Sequence, residues 1–144
     1  MEPIVVEFEV KASPEHAFDV WTSKTAIWWP RSHTVSGDPD LSVVFEPFVG
    51  GRIYERGSDG MEHEWGEVVV WDPPTRVGYL WHLFLDRSEA TEITVTFIPL
   101  DETTSHVRLV QTGFERLGAE VGTERRRRTN HAWLELTGHY QGAL

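Results

Sequence analysis

The chain of 144 residues contains no cysteine, so disulfides, thiolate-bound metals and a cysteine nucleophile are excluded together. Redox chemistry would need a group from outside, and no cofactor is expected. No window approaches the ~20 apolar residues of a membrane-spanning helix. The first residues, MEPIVVEFEV, run straight into strand-like alternation without a charged leader or a sustained apolar region. The expectation is a mature cytoplasmic protein with no membrane partner. Positive charge is also scarce: 13 Lys and Arg stand against 23 Asp and Glu, a formal net charge of −10. Such a field repels phosphate backbones, so nucleic acid is not an expected partner. The one basic cluster, Arg125 to Arg128, follows Glu120 and Glu124 and lacks interleaved aromatics, which reads as a solvated helix face. Internal repeats and low-complexity segments are absent.

What the chain does have is rings. Seven tryptophans in so short a sequence point to wide apolar walls or an apolar ligand site, although ordinary packing accounts for any one of them. The length implies a single domain, residues 1–144, which buries ~70% of the surface exposed by its unfolded chain.

Residues 4–10 alternate as a strand, with Val6, Phe8 and Val10 opposite Glu7 and Glu9. Ser13-Pro14-Glu15 is a helix start: a hydroxyl for an orphan amide, a proline suited to the first turn and an acid at the positive end. Ala17, Phe18 and Trp21 share one face of that helix. A second short helix spans Lys24 to Trp29, stopped by Pro30. After a loop over 31–40, six strand-like segments follow between Leu41 and Thr112, broken by Gly50-Gly51, Gly57-Ser58-Asp59-Gly60, Asp72-Pro73-Pro74-Thr75, Asp86-Arg87-Ser88-Glu89 and Asp101-Glu102-Thr103-Thr104. The fourth of them is expected to run from Arg76 to Leu85. Joints this short suit antiparallel hairpins. In Thr91 to Ile98 the apolar set Ile93, Val95 and Phe97 faces away from Glu92, Thr94 and Thr96, so one sheet face needs a cover.

The last helix supplies it. It begins between Leu117 and Glu124 and reaches about Gln141, with Ala132, Trp133, Leu136 and Tyr140 forming the buried stripe. Toward its start the stripe turns polar, passing Thr129 and then Arg125 or Arg126. Four consecutive arginines at about 100° each sweep most of the circumference, so at least one points to the sheet.

This order of elements resembles the helix-grip fold of the START-related, birch-pollen-allergen-like (SRPBCC) superfamily. The stretches ASPEHAFDVWT, AIWWP, VGGRIYERGSDG, GEVVVWDPPTRVGYLW, LVQTGF and AWLELTGHY resemble, in order, those of the family of activator of heat-shock-protein-90 ATPase homologue-like proteins. The likeness spans residues 4–141. It departs at Ala132-Trp133, where relatives usually carry Gly-Trp. The resemblance implies an α+β fold: a curved antiparallel sheet of about seven strands, two short helices after the first strand, and a long C-terminal helix packed across the sheet, often over an apolar cavity. It implies no single activity. The eukaryotic activator that names the family joins this domain to a second one not found in this sequence, so chaperone stimulation is not carried over.

Chemistry-bearing motifs are few. Glu62-His63-Glu64 lies in a strand, where neighbours point to opposite faces, and His131 and His139 sit about 80° apart on their helix, so no metal is expected. Arg56-Gly57-Ser58-Asp59-Gly60 lacks the spacing of a nucleophile elbow and reads as a turn. Gly50-Gly51 precedes a strand and offers no phosphate cradle.

The candidate ligand walls are Tyr79, Trp81, Val95, Phe97, Val107 and Leu109, with Trp133 opposite. Singly each has the character of a core residue; together they have the make-up of an apolar ligand site. Arg126 and Thr129, above the stripe, would hold a carboxylate or phenolate. The competing reading of Arg126 is a stem laid along the helix with its head in water. Three functions follow. The first is non-enzymatic or weakly catalytic binding of a small apolar or aromatic ligand. The second is a cyclase, dehydratase or hydrolase on an aromatic or polyketide-like substrate, with Arg126 as clamp and Glu64 or His82 as proton carrier. The third is a chaperone-related or toxin–antitoxin-like interaction module. A homodimer is compatible with all three, without a seam in the sequence that demands it.

Overall fold

The structure is a computed structural model and describes residues 1–144. Strand β1 (Ile4–Val10) is followed by helices α1 (Pro14–Ser23) and α2 (Thr25–Trp28). Six strands come next: β2 (Ser42–Phe45), β3 (Arg52–Arg56), β4 (Glu62–Asp72), β5 (Arg76–Trp81), β6 (Thr91–Pro99) and β7 (Ser105–Thr112). Helix α3 (Ala119–Ala143) closes the chain. No helix is long and apolar enough to cross a membrane.

The expected cap of α1 is formed: Ser13 Oγ accepts a hydrogen bond from the His16 amide at 3.2 Å, with Pro14 in the first turn. The seven strands make one antiparallel sheet in the order β1-β7-β6-β5-β4-β3-β2. The run from β2 to β7 is a meander, and β1 closes it by pairing with β7. Register places Phe97 opposite Val107, Val95 opposite Leu109, and Tyr79 opposite Ile93. These side chains share one face and are buried.

That face is covered by all three helices, where the sequence had implied the last one alone. Phe18 of α1 meets Phe97 edge-on, with ring centroids 5.4 Å apart. The Trp21 indole donates to the Tyr79 hydroxyl at 3.2 Å. From α3, Tyr140 donates to the Ala17 carbonyl at 2.6 Å, tying the last helix to the first.

Strand β5 stops at Trp81, four residues short of the expected Leu85. One further bond, from the His82 amide to the Trp65 carbonyl at 2.8 Å, continues the pairing with β4. The chain then turns, with the Leu85 amide bonded back to the His82 carbonyl at 2.7 Å and Phe84 at φ 67°. Leu83 and Leu85 extend the apolar run without extending the strand, because Leu83 is buried from within a turn. Beside it, the β3–β4 register shifts at Trp65. Gly66 is needed there: a Cβ would lie 2.0 Å from the Leu80 carbonyl oxygen, so any side chain would force β4 off β5.

A buried carboxylate fastens the loop before β2. Glu55 is fully buried. Its Oε1 accepts from the Val35 amide at 2.6 Å and the Trp65 indole at 2.9 Å, and its Oε2 from the Ser36 amide at 3.0 Å and hydroxyl at 2.7 Å. Burial alone would push its pKa up; the four donors outweigh that and hold it below the ordinary carboxylate value. The stability this contributes is present above the unfolded pKa of about 4.3 and is lost as pH falls through the lower folded pKa. Glu55→Ala should therefore cost about 2–3 kcal/mol at pH 7, and the gap to wild type should narrow in acid. Urea melts of both proteins across pH 3 to 7, set at those values as the test range, check this; equal midpoints at neutral pH would contradict it.

Candidate ligand site beside the last helix

An array of indoles occupies the space between α2, α3 and the sheet. Trp29 sits 5.5 Å from Trp65, 5.5 Å from Trp81 and 6.2 Å from Trp133, centroid to centroid. Trp133 stacks on Trp21 at 6.1 Å with an interplanar angle of 23°. Internal partners hold several of these rings. Trp29 donates to the His33 carbonyl at 3.0 Å, and Trp133 donates to the Gln111 side-chain oxygen at 2.8 Å. Gln111 in turn donates to Thr91 at 2.9 Å. The polar atoms of Trp29 and Trp133 are thus used within the protein, and their ring faces and edges remain for contact.

Where the array reaches the surface it leaves a cavity of about 270 Å³, just below the ~300 Å³ at which ordinary small-molecule pockets begin. Trp29, Trp81, Leu83, Trp133 and Leu136 give it an apolar lining. Phe84 and Ala132 extend that lining, and Arg125, Arg128, Thr129 and His33 supply its polar part. Glu124 is held by Arg127 through bonds of 3.1 and 2.6 Å, and neither Arg125 nor Arg128 is engaged in an ion pair. Two uncommitted guanidiniums at an apolar cavity can receive an anion through charge-assisted, bidentate hydrogen bonds.

The nine residues singled out from sequence divide into three groups. Trp81, Thr129 and Trp133 line the cavity. Tyr79, Val95, Phe97, Val107 and Leu109 are at most 2% exposed and lie in the core, with the α1 rings of Phe18 and Trp21 against Phe97. Arg126 is turned elsewhere: its guanidinium donates to the Glu2 carbonyl at 2.7 Å and the Pro3 carbonyl at 3.0 Å, strapping the N-terminus to α3.

Helical geometry explains the exchange of Arg126 for its neighbours. Arg126 is seven residues before Trp133, about 20° from it around the axis, and follows the indole's own direction. Arg125, Arg128, Thr129, Ala132 and Leu136 cluster about 80° to one side, and the cavity opens there. Trp29, the residue before Pro30, and the turn residues Leu83 and Phe84 carried no periodic signal that could have placed them at the cavity. The proposed proton carriers Glu64 and His82 come within 3.4 Å of each other but line a different cleft, which shares only Phe84 with this cavity.

Comparison with known proteins places the chain in a family. No curated protein matches the chain by sequence. Among solved structures, the anthrahydroquino-gamma-pyrone synthase Txn09 is similar over 100% of this chain and 97% of its own, with 31% identity and a TM-score of 0.69. The Aha1 dimer from Colwellia psychrerythraea is similar over 100% of this chain and 96% of its own, at 20% identity and TM-score 0.70. CalC from Micromonospora echinospora, a self-sacrificing resistance protein, matches 98% of this chain with 92% of its own at 24% identity and TM-score 0.69. The last two likenesses speak to the fold. Residues 11–136 match the family described as Activator of Hsp90 ATPase homolog 1-like protein, and the chain belongs to that family.

Proposed function

We propose that this protein binds a small aromatic ligand bearing an acidic group, with its rings among Trp29, Trp81 and Trp133 and its anion at Arg125 and Arg128. The single observation that carries this reading is the meeting of three indoles with two unpaired guanidiniums around one cavity. Burying ~200 Å² of ring surface is worth ~5 kcal/mol. A charge-assisted hydrogen bond adds about 1.5–3 kcal/mol, and the loss of ligand freedom offsets part of both. The balance is an affinity in the micromolar range. Preset indoles favour a flat ligand, because Trp29 and Trp133 are already held by hydrogen bonds and lose little freedom on binding.

A second reading is catalytic. Txn09, which shares 31% identity over the whole chain, is an anthrahydroquino-gamma-pyrone synthase. If this chain also turns over an aromatic or polyketide-like substrate, Arg125 and Arg128 are placed to stabilise a developing phenolate or enolate. The proposed unit for either reading is the whole domain, residues 1–144.

Titration with 2-naphthoate, followed by tryptophan emission and melting temperature, tests the binding reading. The expected result is quenching with a rise in melting temperature. Arg125→Ala combined with Arg128→Ala should weaken binding by about tenfold or more, since each 1.4 kcal/mol is a factor of ten. Arg126→Ala should leave affinity unchanged while speeding amide exchange at Ile4 and Val5. If aromatic acids, lipids and polyketide-like compounds all fail to move either signal, the reading is wrong. Steady conversion of a bound aromatic substrate, lost in the Arg125→Ala and Arg128→Ala double variant, would select the catalytic one.

A further inference from the structure

We propose that the cleft at the start of β4 is a second site, one that receives a primary or secondary ammonium group between Glu64 and His82. The proposal does not rest on the aromatic-ligand reading. The cleft has a volume of about 520 Å³. It is built from Glu62, His63 and Glu64 of β4, from His82 just past β5, and from Asp86 and Glu89 in the following turn. Its formal charge is strongly negative.

The observation that lifts it above a cluster of acids is His82. The residue is only 5% exposed, yet its Nε2 has no hydrogen-bond partner, and it is the only buried side-chain nitrogen or oxygen in the protein left in that state. An orphaned polar atom is costly and calls for a partner. The ring has little freedom to find one, because the His82 backbone is held on both sides: its amide by Trp65 and its carbonyl by Leu85. Glu64 Oε2 lies 3.4 Å from Nε2 without forming a hydrogen bond, and no protein group donates to the Glu64 carboxylate.

The other acids nearby already have partners within the protein. Glu62 is held by Arg52 at 3.1 Å and by Arg56, and Glu67 by Arg87 at 2.7 Å. Asp86 and Glu89 bond reciprocally to each other's backbone amides. Glu64 is thus the acid of the cleft that accepts no hydrogen bond: Arg87, committed to Glu67, acts on it only through space, and the ring nitrogen beside it has no partner. In the tautomer with the proton on Nδ1, the two are acceptors side by side. A ligand that satisfies both needs at least two N–H donors and a positive charge, which describes an alkylammonium. No three acid or histidine side chains converge as metal ligands, so a hydrogen-bonding cation fits better than a metal ion. A carboxylate ligand would meet four acids and be repelled.

The test uses benzylammonium as probe and benzyl alcohol as its neutral counterpart, each titrated into the whole protein while the His82 ring signals are followed by NMR. Benzylammonium should shift the His82 resonances saturably and benzyl alcohol should not. Glu64→Gln should weaken the response by about tenfold or more while the melting temperature stays at the wild-type value. The Arg125→Ala and Arg128→Ala double variant should respond like wild type, which separates this site from the aromatic cavity. Equal responses to the amine and the alcohol, no response of His82, or full affinity in Glu64→Gln would each overturn the proposal.

Discussion

The hydrogen bond from the Trp133 indole to Gln111, 2.8 Å long and buried, is the contact on which the helix–sheet arrangement turns. Trp133 also stacks on Trp21 and meets Trp29, so one side chain joins α3 to the first two helices and to β7. Gln111 passes the constraint on to Thr91, and Thr91 donates to the Trp81 carbonyl at 3.4 Å. Six elements are therefore referred to a single ring. An amide at position 111, buried to 2% exposure, is affordable because both its oxygen and its nitrogen are satisfied.

The hollow beside the helix follows from what that anchor leaves unfilled. At the C-terminal end of α3, Tyr140 closes onto the rings of Trp21 and Trp28, and the interior there is solid. Toward the start of α3 the flank beside the buried stripe carries Thr129, Arg128 and Arg125, whose polar ends do not enter an apolar core. The aromatic array then has no aliphatic cover on one side, and the arginines stand over it without a close ion pair, Arg128 acting on Glu124 only through space. A site with an apolar bottom and a cationic mouth results from ordinary helix periodicity meeting a change in residue type.

Much of this architecture is legible in the sequence. The alternation of Ile93, Val95 and Phe97, the Ser13-Pro14 start and the stripe ending at Tyr140 each have a local cause, and each element stands where that cause puts it. Legibility fails where local pattern and tertiary context part. Alternation identifies Val95, Val107 and Leu109 as facing inward, but says nothing of the Phe18 and Trp21 rings that fill the space above the sheet. Leu83 and Leu85 look like strand because apolar runs do, whereas the chain has already turned at His82. The choice between Arg125 and Arg126 depends on knowing that the cavity lies to one side of Trp133, an angle no single helix reveals. Glu64 and His82 stand out in the sequence as alternatives for one role; only the sheet register makes them neighbours.

The most direct test of the central claim is a set of intermolecular NOEs between 2-naphthoate and the protein at saturation. The account predicts contacts from the ligand's ring protons to the indole protons of Trp29, Trp81 and Trp133, with the carboxylate-bearing edge nearest the side chains of Arg125 and Arg128. Contacts confined to other surfaces, or a saturated complex with none to these three indoles, would contradict it.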